Sequence, residues 1–220
     1  MKRLILSLLI VAFTLSGFSQ RHARLSFIAS PSVDWMSSNN TDSKSENITL
    51  GYDFGLSGDF YQTEDERYAF VTGLQISNLG GELTYRTGSA IQFAGTTLPN
   101  LSSIKYRLRY IEVPVGIKLK TDEFRRFRYW GMIGMSPMVN ISAMGDSNNG
   151  ALYKSKINDE VNMFNLAMNL GLGFDFDLGG NNSFTAGLIF QNGLADVTTD
   201  NVVNDRTVIN SLKLKFGLIF

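Results

Sequence analysis

The run Phe164-Asn165-Leu166-Ala167-Met168-Asn169-Leu170-Gly171-Leu172-Gly173-Phe174-Asp175-Phe176-Asp177-Leu178 decides the fold. The even positions are Phe164, Leu166, Met168, Leu170, Leu172, Phe174, Phe176 and Leu178. The odd positions are Asn165, Ala167, Asn169, Gly171, Gly173, Asp175 and Asp177. A helix would mix the two sets, because it brings residues three and four apart onto one face. A strand keeps them apart. Alternation this long exceeds the usual soluble strand of about five or six residues. It fits the ~9–11 residues that a tilted strand needs to cross a bilayer.

The same period appears on either side of that run. Leu212, Leu214, Phe216, Leu218 and Phe220 alternate with Ser211, Lys213, Lys215, Gly217 and Ile219. Ile48, Leu50, Tyr52, Phe54, Leu56 and Phe60 alternate with Thr49, Gly51, Asp53, Gly55, Ser57 and Asp59. Eight strands are predicted, at about 23–36, 47–61, 67–79, 103–120, 126–142, 160–178, 182–195 and 207–220. The connections near 62–66, 121–125 and 179–181 are short. Those near 37–46, 80–102, 143–159 and 196–206 are long and polar. That alternation is the pattern of periplasmic turns and extracellular loops. The expected architecture is all-β: a single eight-stranded antiparallel up-and-down transmembrane β-barrel following a cleaved signal peptide.

The strand at 103–120 changes phase. Ile104, Tyr106, Leu108 and Tyr110 lie opposite Lys105, Arg107 and Arg109; then Ile111, Val113, Val115, Ile117 and Leu119 lie opposite Glu112, Pro114, Gly116, Lys118 and Lys120. One extra residue near Tyr110-Ile111 would keep every apolar group on one face, as a β-bulge does.

Parity does not say which face meets lipid, and a soluble periplasmic lipocalin-like binder alternates with its apolar residues inside. Three features favour the membrane arrangement. Glycines 51, 55, 171, 173, 187 and 217 crowd the polar face, as a narrow filled lumen requires. Aromatics recur near strand ends, among them Tyr52, Phe60, Tyr68, Tyr106, Tyr110, Tyr129, Phe174 and Phe176. The alternating Phe216, Leu218 and Phe220 resemble a C-terminal signal for the outer-membrane insertion machinery. The lumen is then expected to hold Lys105, Arg107, Arg109, Lys118, Lys213 and Lys215 with Asp53, Asp59, Glu112, Asp175 and Asp177 as an ion-pair network, since buried charges need partners. An eight-stranded barrel has room for side chains and little else, which argues against a wide pore.

Composition narrows the chemistry. Twenty basic and 20 acidic residues balance, so no basic field calls for nucleic acid. There is no cysteine to serve as disulfide partner, nucleophile or lipid attachment site, and the single histidine is His22. No Ser-His-Asp, Cys-His or histidine-rich metal site can be assembled, so no catalytic, cofactor or metal residues are assigned and no enzyme is expected. Asp175 and Asp177 suit structural pairing better than acid–base work. At the N-terminus, Lys2 and Arg3 precede the apolar run 4–13, and small Gly17 and Ser19 stand before Gln20. This predicts a signal peptide at 1–19 and a barrel domain at 20–220. No segment has ~18 continuous apolar residues, so only a closed barrel could span a membrane.

The segment Arg109-Tyr110-Ile111-Glu112-Val113-Pro114-Val115-Gly116-Ile117-Lys118 resembles the Y-[LI]-E-[IV]-P strand of the PorT-like outer-membrane β-barrel family, with Tyr110, Glu112 and Pro114 carrying the match. The resemblance implies the barrel fold and the outer membrane. One branch of that family serves type IX secretion and gliding. The expected role is a non-enzymatic structural or accessory component. Its expected partners are outer-membrane lipid, the insertion machinery and another outer-membrane protein. A small transport or ligand-binding barrel is the alternative, together with the soluble binder.

Overall fold

The computed structural model describes residues 23–40, 43–45, 47–62, 65–86, 88–199 and 206–220. The expected signal peptide and His22 lie outside the described residues. The elements are β1 (Ala23–Ser38), β2 (Ser43–Ser45), β3 (Thr49–Tyr61), β4 (Tyr68–Tyr85), β5 (Ile91–Phe93), β6 (Thr96–Leu98), β7 (Ser103–Glu112), β8 (Val115–Lys120), β9 (Phe127–Ser147), β10 (Ser155–Lys156), a 3₁₀ turn (Asn158–Glu160), β11 (Phe164–Gly179), β12 (Asn182–Gly193) and β13 (Thr207–Ile219).

β7 and β8 form one wall strand interrupted at Val113-Pro114, since both pair with β4 on one side and β9 on the other. The wall runs β1-β3-β4-β7/β8-β9-β11-β12-β13, each neighbour antiparallel, and β13 pairs back onto β1. This ring of eight matches the eight predicted strands. β4 reaches Tyr85 and β9 reaches Ser147, both past their predicted ends at 79 and 142. The reason is that their upper parts leave the apolar–polar pattern on which the prediction rested.

The lower part of the wall turns apolar side chains outward. Phe27, Leu56, Leu74, Ile117, Leu172, Leu188 and Leu214 are all more than two-fifths exposed. A continuous outward belt of this kind needs hydrocarbon around it, because water would make it an aggregation surface. The residues between them point inward and are polar: Ser26, Ser57, Asn169, Thr185 and Lys215 are buried.

Toward the long loops this rule reverses. Ile104, Tyr106, Leu108 and Tyr110 are buried in an apolar plug with Met36, Leu83 and Met138. The β5–β6 hairpin adds Phe93 and Leu98 to the same plug. Lys105, Arg107 and Arg109 point outward. This corrects their predicted place in the lumen. Inward and outward positions alternate without a slip from Ile104 to Lys120, and β4 keeps one register across both β7 and β8. No bulge lies at Tyr110-Ile111. What changes along the strand is the medium outside the wall: hydrocarbon below Ile111, water above Arg109. Tyr106 and Tyr110 accordingly belong to the plug and not to an interfacial girdle. The bulge sits across the ladder on β9, where Arg109 pairs with Ser142 and Tyr110 with Asn140, leaving Ile141 over. The inward set on β9 shifts from Ser136 and Met138 to Ala143 and Gly145 across that residue.

Leu56→Arg, on the outward belt, should lower stability by about 2–4 kcal/mol in lipid bilayers. Leu108→Ala in the plug should cost a similar ~2–5 kcal/mol for the opposite reason, a cavity in a packed apolar interior. Urea unfolding in phospholipid vesicles measures both.

Candidate functional site: the charged lumen

The lumen below the plug holds five buried carboxylates, Asp34, Asp53, Asp59, Glu112 and Asp175, against four buried amines, Lys118, Lys120, Lys213 and Lys215. Each arrives there by strand parity alone. Nearest the short turns, Lys118 Nζ lies 2.8 Å from Asp59 and 3.9 Å from Asp175. Lys120 Nζ reverses the preference, 2.7 Å from Asp175 and 3.9 Å from Asp59. The result is a crossed quartet from β3, β8 and β11. Lys120 also donates to the Tyr61 hydroxyl at 2.5 Å.

One layer up, Lys213 Nζ reaches Asp53 at 2.6 Å and Glu112 at 3.3 Å. Glu112 further accepts from Ser77 at 2.6 Å and Gln191 at 2.8 Å. It therefore ties β4, β7, β12 and β13 together across the lumen. Above it, Asp34 accepts from Ser211 at 2.6 Å and from the Gly80 amide at 3.3 Å. At the lower rim Glu66 holds Arg24 at 3.0 Å and Arg128 at 2.6 Å.

Trp130 fills the space between these layers. Lys118 and Lys215 stand over its ring at 5.0 and 5.6 Å, and its indole N–H donates to Thr185 at 3.2 Å. The ring lies against Gly173 and Gly187. A Cβ at either would approach Trp130 to 2.5 Å, which explains why these two lumen positions carry no side chain. A space beside Glu112 and Lys213 measures about 30 Å³, room for one water.

Seven of the eleven residues expected in the lumen network face it: Asp53, Asp59, Glu112, Lys118, Asp175, Lys213 and Lys215. Lys215 makes no ion pair among the described residues and lies over Trp130 instead. Asp177 sits at the rim, where it accepts from the Gly179 amide at 2.8 Å and shapes the turn. It makes no ion pair among the described residues, although Arg126 and Arg128 line the same rim. Lys105, Arg107 and Arg109 are outside. Trp130, Lys120, Tyr61 and Asp34 take part without having been assigned. Lys120 and Asp34 were reachable by continuing the parity. Trp130 was not, since β9 is apolar on both faces.

A soluble lipocalin-like barrel would line its interior with apolar groups and turn its charges to water. Here the lower lumen is charged and the outer wall apolar. Together these define a transmembrane β-barrel of the small, filled kind. The chain belongs to the family described as outer membrane protein beta-barrel domain, whose profile matches residues 14–199. Among solved structures it is similar to the Neisserial surface protein A, at 11% identity and TM-score 0.50, covering 90% of this chain and 95% of that one. It is also similar to the outer membrane protein OprG from Pseudomonas aeruginosa, at 11% identity and TM-score 0.46, covering 91% and 97%. No curated protein matches. The protein is an outer-membrane β-barrel protein.

Lys118→Met should leave Asp59 buried with its closest cation gone and cost about 3 kcal/mol. The double variant Asp59→Asn, Lys118→Met should recover at least half of that, because the pair is removed as a whole and no carboxylate loses its closest cation. Equilibrium unfolding of wild type, both single variants and the double in vesicles gives the coupling directly.

Proposed function

We propose that this protein is a non-enzymatic structural or accessory component of the outer membrane, of the PorT-like kind, which works through its outer surface and not through its lumen. The observation that carries this reading is the filled interior. Charged layers occupy the lower lumen, Trp130 lies between them, and the apolar plug under the β5–β6 hairpin seals the loop end. A solute would have to break desolvated ion pairs and displace a packed core, and neither yields at low cost.

The motif that suggests the PorT-like group has a structural reason in this chain. Tyr110 is the lowest aromatic of the plug, and Glu112 is the first charge that this strand turns into the lumen. Pro114 marks the break between β7 and β8, where Val113 N–H donates to the Pro137 carbonyl at 3.1 Å. The motif thus stands at the level where the interior changes from apolar to charged. What is left for interaction is the apolar wall, which takes lipid or another barrel, and the loop face. A part in a secretion or surface complex would use these. The alternating outward Phe216, Leu218 and Phe220 suit contact with the insertion machinery during biogenesis.

Planar bilayers containing the folded protein test this. No stable single-channel steps are expected in 1 M salt, and labelled lipid A incubated with the protein should stay unmodified. Reproducible conductance steps would point to a transport barrel, and turnover of the lipid would point to an enzyme. Crosslinking in intact cells should capture a second outer-membrane protein on the wall or loops.

A further inference from the structure

We infer that the outer wall carries a binding site for the phosphorylated headgroup of an outer-leaflet glycolipid, in the groove where β3 leaves β4. The pairing of β3 with β4 stops at Tyr52–Asn78, β2 takes β4 up again only at Leu83, and β3 continues to Thr49 against β1. A seam therefore opens beside Gly80, and the cavity there measures about 540 Å³. Its two walls differ in chemistry. On the β3 side, Leu50 and Tyr52 point outward, and Leu50 is 86% exposed. They prolong the apolar belt upward by two steps beyond its limit at Ile111 on β7. On the β7 side stand Arg107 and Arg109, with Lys105 above them and Lys154 reaching over from the loop. Gly80 forms the floor between Leu50 and Arg107, packed close against Thr49 and the Tyr106 carbonyl.

Four cations meet two carboxylates there, Glu82 and Asp146, which stand opposite Lys105 across the ladder, so positive charge is in excess. Arg107 pairs with Asp146 at 2.5 Å, and Arg109 donates to Asn78 at 2.9 Å. Among the described residues Lys105, Arg109 and Lys154 make no ion pair. Strand parity places three cations outward in succession directly above Ile111, the first lipid-facing residue of this strand. That is the level at which the phosphates of an outer-leaflet lipid meet the protein, close to the hydrocarbon boundary where charge-assisted hydrogen bonds are strong. A free phosphate would use the cations but has no use for Leu50 and Tyr52. An uncharged lipid would use those two and leave the cations idle. A phosphorylated glycolipid engages both walls at once.

The test uses the full-length folded protein in phosphatidylcholine nanodiscs doped with diphosphorylated lipid A or with the same lipid stripped of phosphate. Native mass spectrometry after release counts the lipid A molecules retained. The wild type should retain the diphosphorylated form about tenfold better than the stripped form. The triple variant Lys105→Gln, Arg109→Gln, Lys154→Gln should lose that preference. The double variant Lys105→Gln, Lys154→Gln should lose part of it, which keeps the test open if the triple folds poorly. Arg125→Gln, Arg126→Gln at the opposite end should leave it intact. Faster migration of unboiled samples certifies folding of each variant. Equal retention by wild type and triple variant would overturn the inference. So would equal retention of the two lipids, or full displacement of lipid A by an equal concentration of inorganic pyrophosphate, which would mark a free-phosphate site. None of these outcomes depends on the conductance of the lumen.

Discussion

A backbone amide or carbonyl left unpaired in hydrocarbon costs several kcal/mol, and a β-sheet in a bilayer therefore has to return on itself. The pairing of β13 with β1 meets that demand in this chain, and much of the interior follows from it. Eight strands make a ring so narrow that its inside must be filled with side chains. Strand parity sends every second residue there whatever its chemistry. Once hydrocarbon claims the apolar set outside, the polar set must satisfy itself within. Five carboxylates and four amines do so in layers, with Glu112 and the Asp59–Lys118–Lys120–Asp175 quartet spanning the lumen.

The same wall obeys the opposite rule in its upper part. Above Tyr110 the medium outside is water, so the apolar residues turn inward and the barrel becomes an ordinary globular core roofed by a hairpin. The two interiors meet at the Tyr110-Ile111-Glu112 step. The charged layers resist apolar solutes, and the plug resists polar ones. On the proposed reading, this combination leaves the outer surface as the part of the molecule that acts. At the boundary between the two rules, the groove beside Gly80 places lipid-like and water-like surfaces side by side.

Where a strand lies in one medium for its whole length, its sequence disclosed both its existence and its facing. β3, β11 and β13 come nearest to this, with only Ala167 and Ile209 reaching the plug, and the lumen places of Asp53, Asp59, Asp175 and Lys213 follow from them. The strand from Ser103 to Lys120 crosses from one medium to the other. An unbroken alternation then looks like a phase slip, because the residue types exchange faces while the geometry does not. That is why Lys105, Arg107 and Arg109 were expected inside and a bulge was expected beside them. The true bulge at Ile141 left no such mark, since β9 carries apolar groups on both faces. Trp130 stayed hidden for the same reason. Its role depends on the absence of side chains at Gly173 and Gly187, on β11 and β12, and no local pattern links the three.

The exchange of faces at Tyr110-Ile111 is the central claim, and the absence of cysteine from the chain makes it directly measurable. Single cysteines would be placed at each odd position from 105 to 119 and treated with a water-soluble maleimide after folding into lipid vesicles. The account expects rapid labelling at 105, 107 and 109 and protection from 111 to 119, with the protected set open to a lipid-soluble reagent instead. Protection at 105–109 together with labelling at the even positions 104–108 would mean that the three cations face the lumen, and it would contradict the account.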